Sequence, residues 1–160
     1  MIRYVLIVAF FVGLPAQTQD VNKLGQPIPS LGSDPAVFLP DRKDVVSWKV
    51  LAQVELVKAK DRYVPQFSSS VAALDQKDVK VQGFMMPLQM GDKQTHFVLT
   101  AMPQSCPFCM PGGPEGLIEI KSKKPVKYTF EPVVMKGKLA VLKDDPTGVF
   151  YRIVDAEEAN

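Results

Sequence analysis

VKVQGFMMPL (79–88) and VVMKGKLAVL (133–142) decide the fold. Both are long and rich in β-branched or apolar residues, and each carries a glycine five residues in, Gly83 and Gly137. A glycine inside a strand commonly marks a bulge or a sharp bend where the strand coils round a barrel corner. The two segments do not form a repeat. They read as two strands that solve the same bending problem, and bent long strands are what a small closed sheet requires.

Working outward, Gly91-Asp92 supplies a turn after the first of these strands, and THFVLTAM (95–102) is its hairpin partner. EGLIEIKSK (115–123) is a third strand, VKYTF (126–130) a short edge, and VFYRIVDA (149–156) the last strand, after the turn DDPTG (144–148). Upstream, VVSWKVLAQVELVKA (45–59) alternates, with Trp48, Val50, Ala52, Val54 and Leu56 on one face, and reads as another strand that Tyr63-Val64-Pro65 closes. SSSVAALD (68–75) has Ser68 or Ser69 to cap a short helix and Val71 and Leu74 for its apolar side. The expected fold is mainly all-β, a small OB-like Greek-key barrel of five or six strands with one short helix.

A chain of 160 residues can bury a core of its own as one domain. Its formal net charge is +2 and its Lys and Arg are spread along the sequence, so no basic face marks a nucleic-acid partner. The first residues, MIRYVLIVAFFVGLPAQTQD, place Arg3 before an apolar run from Tyr4 to Leu14, then Pro15 and Ala16. That is the layout of a secretory signal peptide, with cleavage expected after Ala16. The run is too short to span a bilayer as a helix, and no transmembrane span is expected in the mature chain. Residues 1–16 are therefore the expected leader. Residues 17–44, broken by Pro27, Pro29, Pro35 and Pro40, are an expected extended or disordered arm, and 45–157 the barrel domain. The expected location is periplasmic or secreted, where close cysteine pairs tend to be oxidised unless a metal holds them.

AMPQSCPFCMPGGPEG (101–116) holds the chain's two cysteines, Cys106 and Cys109. Three chemistries compete for it. A thioredoxin-type enzyme sets its Cys-x-x-Cys at a helix N-terminus, which lowers the first thiol's pKa. Here Gly112-Gly113-Pro114 stops any helix, although an exposed Cys-Pro-Phe-Cys disulfide could still exchange with a partner thiol. A loop-stapling disulfide closes so small a ring that it removes little unfolded-state entropy. A metal site is the third. Zinc wants four N or S ligands, and the chain offers two thiols, His96 and Glu115, unless two chains share one ion. Copper(I) accepts two or three soft ligands. Cys106, Cys109 and Met110, with Met102, Met86 or His96 in reach, fit it, and Met85 and Met90 also lie in or near the flanking strands. Against this, a methionine on a strand is more often core filler than ligand, and a strand histidine more often structural.

Other chemistry has less to rest on. Gly112-Gly113 could cradle an anion, but no Gly-Lys-Ser/Thr follows. With one histidine and no G-x-S-x-G there is no hydrolase motif. Asp144-Asp145 reads as a solvated turn.

GFMMPL (83–88), HFVL (96–99), SCPFCMPGGPEG (105–116) and DDPTGVFYRIVDA (144–156) together resemble a family of small exported bacterial proteins known as a domain of unknown function. The resemblance spans about residues 44–156. It implies a periplasmic or cell-surface protein with an OB-like barrel. Members often stand beside export or metal-uptake transporter components, which implies a membrane transporter component or another periplasmic protein as partner. It assigns no catalytic residues. The function expected from the residues and the resemblance together is transition-metal binding, copper(I) or zinc, by an accessory protein rather than an enzyme. A thiol–disulfide exchange partner, or an interaction module with a stapled loop, is the alternative.

Overall fold

The computed structural model describes residues 38–40, 42–103 and 113–159. The expected leader, most of the expected arm, and Cys106, Cys109 and Met110 lie outside the described residues. Five strands close a barrel: β3 (Asp78–Pro87), β4 (Lys93–Thr100), β5 (Leu117–Lys127), β6 (Val133–Val141) and β7 (Tyr151–Glu158), in the order β3-β4-β5-β7-β6. Every neighbouring pair is antiparallel except β5 and β7. The chain therefore crosses over between β5 and β6 instead of meandering, and the result is the small Greek-key barrel that the bent strands foretold. Inward residues alternate along each strand. Val81, Phe97, Leu99, Ile118, Ile120, Met135, Leu139 and Ile153 are fully buried. Burial of such side chains contributes about 1.5–3 kcal/mol each, which makes this core the main source of stability.

The two glycines do what their positions suggest. β3 pairs with β6 from Asp78 to Gly83 and with β4 from Phe84 to Pro87, so the strand changes partner at Gly83. A Cβ there would stand 2.8 Å from the Thr100 carbonyl oxygen and 3.3 Å from the Trp48 ring. At Gly137 the β6–β7 register shifts, and a Cβ would meet Ile153 Cγ2 at 2.6 Å and the Val154 carbonyl oxygen at 2.8 Å. Both sites let strands approach closer than any side chain allows.

The segment 45–59 is not one strand. Trp48–Leu51 is a helical turn, α1, and only Val54–Ala59 is a strand, β1. Ser47 caps the turn: its Oγ accepts the Lys49 N–H at 3.2 Å. Trp48 and Leu51, three residues apart, are the buried pair, a helical spacing that a run of alternating residues masks. Tyr63-Val64-Pro65 does not close that unit but belongs to β2 (Arg62–Phe67), which pairs with β1 in a hairpin outside the barrel. Phe67 packs against Phe150 and Tyr151 at ring centroids of 5.8 Å, joining hairpin to barrel. The expected helix at 68–75 is present as α2 (Ser69–Ala72), capped by Ser68, whose Oγ accepts the Val71 N–H at 3.3 Å. The described residues thus hold two four-residue helices where one was expected. The edge strand expected at 126–130 is the end of β5, which runs on through Pro125 to Lys127. Trp48 Nε1 donates to the Gln82 carbonyl at 2.8 Å, and Tyr151 Oη donates to the Leu51 carbonyl at 2.5 Å, so α1 is bonded to two barrel strands.

Candidate functional site

The cysteine loop springs from the last rung of the β4–β5 pair, Thr100 opposite Leu117. Both of its roots are fixed. Thr100 Oγ1 donates to the Met102 carbonyl at 2.6 Å, and Pro114–Gly116 forms a single 3-10 turn closed by Gly116 N–H on the Gly113 carbonyl at 2.9 Å. A turn of three residues carries no helix dipole worth the name, so the described end of the loop offers nothing to depress a thiol pKa in the thioredoxin manner.

Two rungs in from Thr100–Leu117 begins a row of charged groups on the outer barrel face. Ile118 and Ile120 point inward, which turns Glu119 outward. Arg152 lies directly opposite Glu119 in the parallel β5–β7 pair. His96 on β4 is the diagonal neighbour, since Val98 faces Glu119 and His96 faces Lys121. Glu119 Oε1 takes the hydrogen bond from His96 Nε2 at 2.7 Å, and Arg152 Nε donates to Glu119 Oε2. Arg152 Nη2 donates to Asp145 Oδ2 at 3.0 Å, and Asp145 accepts the Thr147 N–H at 2.9 Å. The row His96–Glu119–Arg152–Asp145 therefore crosses three strands and ends in the β6–β7 turn.

Glu119 is 9% exposed. Burial alone would raise its pKa, but hydrogen bonds from Arg152 and His96 and the nearby charges of Arg152 and Lys121 outweigh it and leave the carboxyl below its ordinary value. An ionised carboxylate only accepts, so His96 Nε2 must carry the proton and Nδ1 the lone pair when the ring is neutral. Nδ1 has no hydrogen-bond partner among the described residues. A histidine held through one nitrogen by a carboxylate, with the other open, is the arrangement that orients metal-ligating imidazoles. Among the described residues no group of three or more His, Cys, Asp or Glu could by itself hold a metal ion.

Among the described residues the methionines do not gather around His96. Met85 and Met102 are buried in the core cluster with Met135. Met90 is fully exposed in the turn between β3 and β4, at the far end of β4 from Thr100. The length of β4 puts those two residues on the order of 25 Å apart. Among the described methionines only Met86, outward-facing and opposite Val98, shares the outer face with His96. Sequence reasoning missed Glu119, Arg152 and Asp145. Glu119 stands in the apolar string LIEI (117–120), and a carboxylate at one outward position of so apolar a strand was the available signal. Asp144-Asp145 is not simply solvated: Asp144 forms a two-bond pair with Arg62 of the hairpin, while Asp145 is nearly buried against Arg152.

The fold and the row define a small exterior-site barrel, with polar chemistry on the β4–β5–β7 face and beside one loop. The chain belongs to the family described as "Protein of unknown function (DUF3299)", whose model matches residues 33–152. A crystal structure of a DUF3299 family protein from Pseudomonas aeruginosa PAO1 is 18% identical, with a TM-score of 0.46. The match covers 60% of this chain and 68% of that one. No curated protein matches the chain.

Proposed function

We propose that this is an exported accessory protein that binds a transition metal, copper(I) or zinc, on the outer barrel face. Cys106 and Cys109 supply thiolates from the loop, and His96 supplies Nδ1 from β4. The observation that carries the reading is the Glu119–His96 bond: it leaves a lone-pair nitrogen in the open on β4, four residues before Thr100, the pinned root of the cysteine segment. Met110 remains a candidate ligand by its place next to Cys109. Met102 has the weaker claim, because its side chain is taken up by the core. The reading needs the leader of residues 1–16 to export the chain, and its natural partner is a membrane transporter component or another periplasmic protein that receives the metal.

The test is an anaerobic competition titration of the reduced protein against chelators of known affinity, with Cu(I) and with Zn(II). Wild type should hold one ion more tightly than Cys106→Ser/Cys109→Ser, and His96→Ala should fall in between. Equal affinity for all three proteins would end the proposal.

A further inference from the structure

The end of the barrel away from the cysteine loop carries a different surface. The turn between β3 and β4 displays Leu88 at 49% exposure and Met90 at 100%, and the neighbouring β5–β6 connection displays Phe130 at 79%. The two segments are joined, because Tyr128 N–H donates to the Asp92 carbonyl at 2.8 Å and the Tyr128 and Phe130 rings stack edge-on with centroids 5.2 Å apart. Large apolar side chains clustered in water on a soluble barrel mark a docking surface.

Two further observations say what covers it. First, the tip is built to hold its shape. Gln94 is 1% exposed, and its Nε2 donates to the Gln89 carbonyl at 3.1 Å and the Gly91 carbonyl at 2.7 Å. A buried amide is thus spent on fixing the turn that presents a fully solvated methionine. Second, Lys93 and Lys127 stand directly opposite each other at the foot of the tip, and neither has an ion-pair partner among the described residues. Like charges facing across a strand pair are unfavourable until an anion sits between them. Along KSKKPVK (121–127), Lys121 and Lys123 lie 3.9 Å from Glu119 and 3.8 Å from Glu157, so Lys93 and Lys127 are the cations that stand at the tip.

We infer that this end of the barrel docks on an anionic phospholipid surface, with Leu88, Met90 and Phe130 entering the interface and Lys93 and Lys127 meeting headgroup phosphates. A protruding apolar tip with lysines behind it suits the graded polarity of a bilayer surface. Asp92 and Glu131 lie in the same two turns, so the apolar insertion carries most of the attraction and the charges a smaller share. The opposite end of β4 and β5, where Thr100 faces Leu117, is then left on the aqueous side.

The experiment is vesicle flotation of the protein purified in the form that a bacterial host exports. Vesicles of phosphatidylglycerol with phosphatidylethanolamine are compared with pure phosphatidylcholine. Wild type should float with the anionic vesicles and less with the neutral ones. Met90→Asp/Phe130→Asp should lower the partition coefficient about tenfold or more, and Lys93→Gln/Lys127→Gln should lower it several-fold and flatten its salt dependence. All four side chains are exposed, so unchanged thermal melts would show that folding is not the cause. No flotation of wild type, or equal flotation of the apolar double variant, would overturn the inference. So would sedimentation velocity that shows a dimer which Met90→Asp/Phe130→Asp dissolves, because the tip would then be a contact between copies.

Discussion

Glu119 and Arg152 face each other across the parallel β5–β7 pair, and one arginine nitrogen bonds the carboxylate oxygen that His96 leaves free. The carboxylate sits on the barrel surface yet is almost out of water, so it depends on these partners. Its folded pKa is depressed below the ordinary 4.5, so its contribution to stability is complete above that value and is lost as pH falls through the lower folded value. Glu119→Gln should cost about 1–3 kcal/mol at pH 7. Urea melts of both proteins should show the gap closing below the ordinary carboxylate pKa. A gap that persists unchanged in acid would mean that the charge is not what the site uses.

The same substitution has a second readout. Glu119 fixes the tautomer and ring angle of His96, and loss of such an outer partner typically lowers metal affinity roughly 10–100-fold. Glu119→Gln should therefore weaken metal binding without changing the number of ions bound. A chelator titration that finds wild-type affinity in this variant would separate His96 from the metal.

Gly83 tests the barrel closure. An added methyl group would press on a backbone carbonyl at 2.8 Å, and a carbonyl in a strand ladder cannot swing aside. Gly83→Ala should destabilise by about 1–3 kcal/mol. Gly116 has nothing within 4 Å of an added Cβ, so Gly116→Ala should stay within about 0.5 kcal/mol of wild type. Paired chemical denaturation curves decide it.

Tyr151 is fully buried, and burial, with the charge of Glu115, pushes its phenol well above the ordinary range, so the hydroxyl stays a donor at every working pH. Its bond to the Leu51 carbonyl ties β7 to α1. Tyr151→Phe should cost about 1–2 kcal/mol and raise amide exchange at Leu51 and Ala52.

The adjacent aspartates of the β6–β7 turn should behave differently. Asp144→Asn breaks an exposed pair with Arg62 and should leave the melting temperature nearly unchanged. Asp145→Asn disturbs both the Thr147 turn and Arg152 and should lower it clearly. Thermal melts in the reverse order would contradict the network.

Much of the barrel was legible because its signals are local. Strand alternation, the two mid-strand glycines, the Ser68 cap and the Gly91 turn each act within a few residues. The misreading at 45–59 has a physical cause. Trp48, Val50 and Ala52 alternate, but what folds there is a turn capped by Ser47 whose Trp48 and Leu51 find the barrel wall more than thirty residues downstream. The charged row was not legible for the same reason. His96, Glu119, Arg152 and Asp145 meet only because β4, β5 and β7 are neighbours, and the β5–β7 pairing follows from the crossover rather than from any local pattern.

The most direct test of the metal-binding account is a thiol count with metal analysis on protein exported by a bacterial host and reduced mildly without oxygen. The account predicts two accessible thiols and about one equivalent of copper or zinc, lost in Cys106→Ser/Cys109→Ser. A disulfide that resists reduction, and takes up no metal once opened, would contradict it.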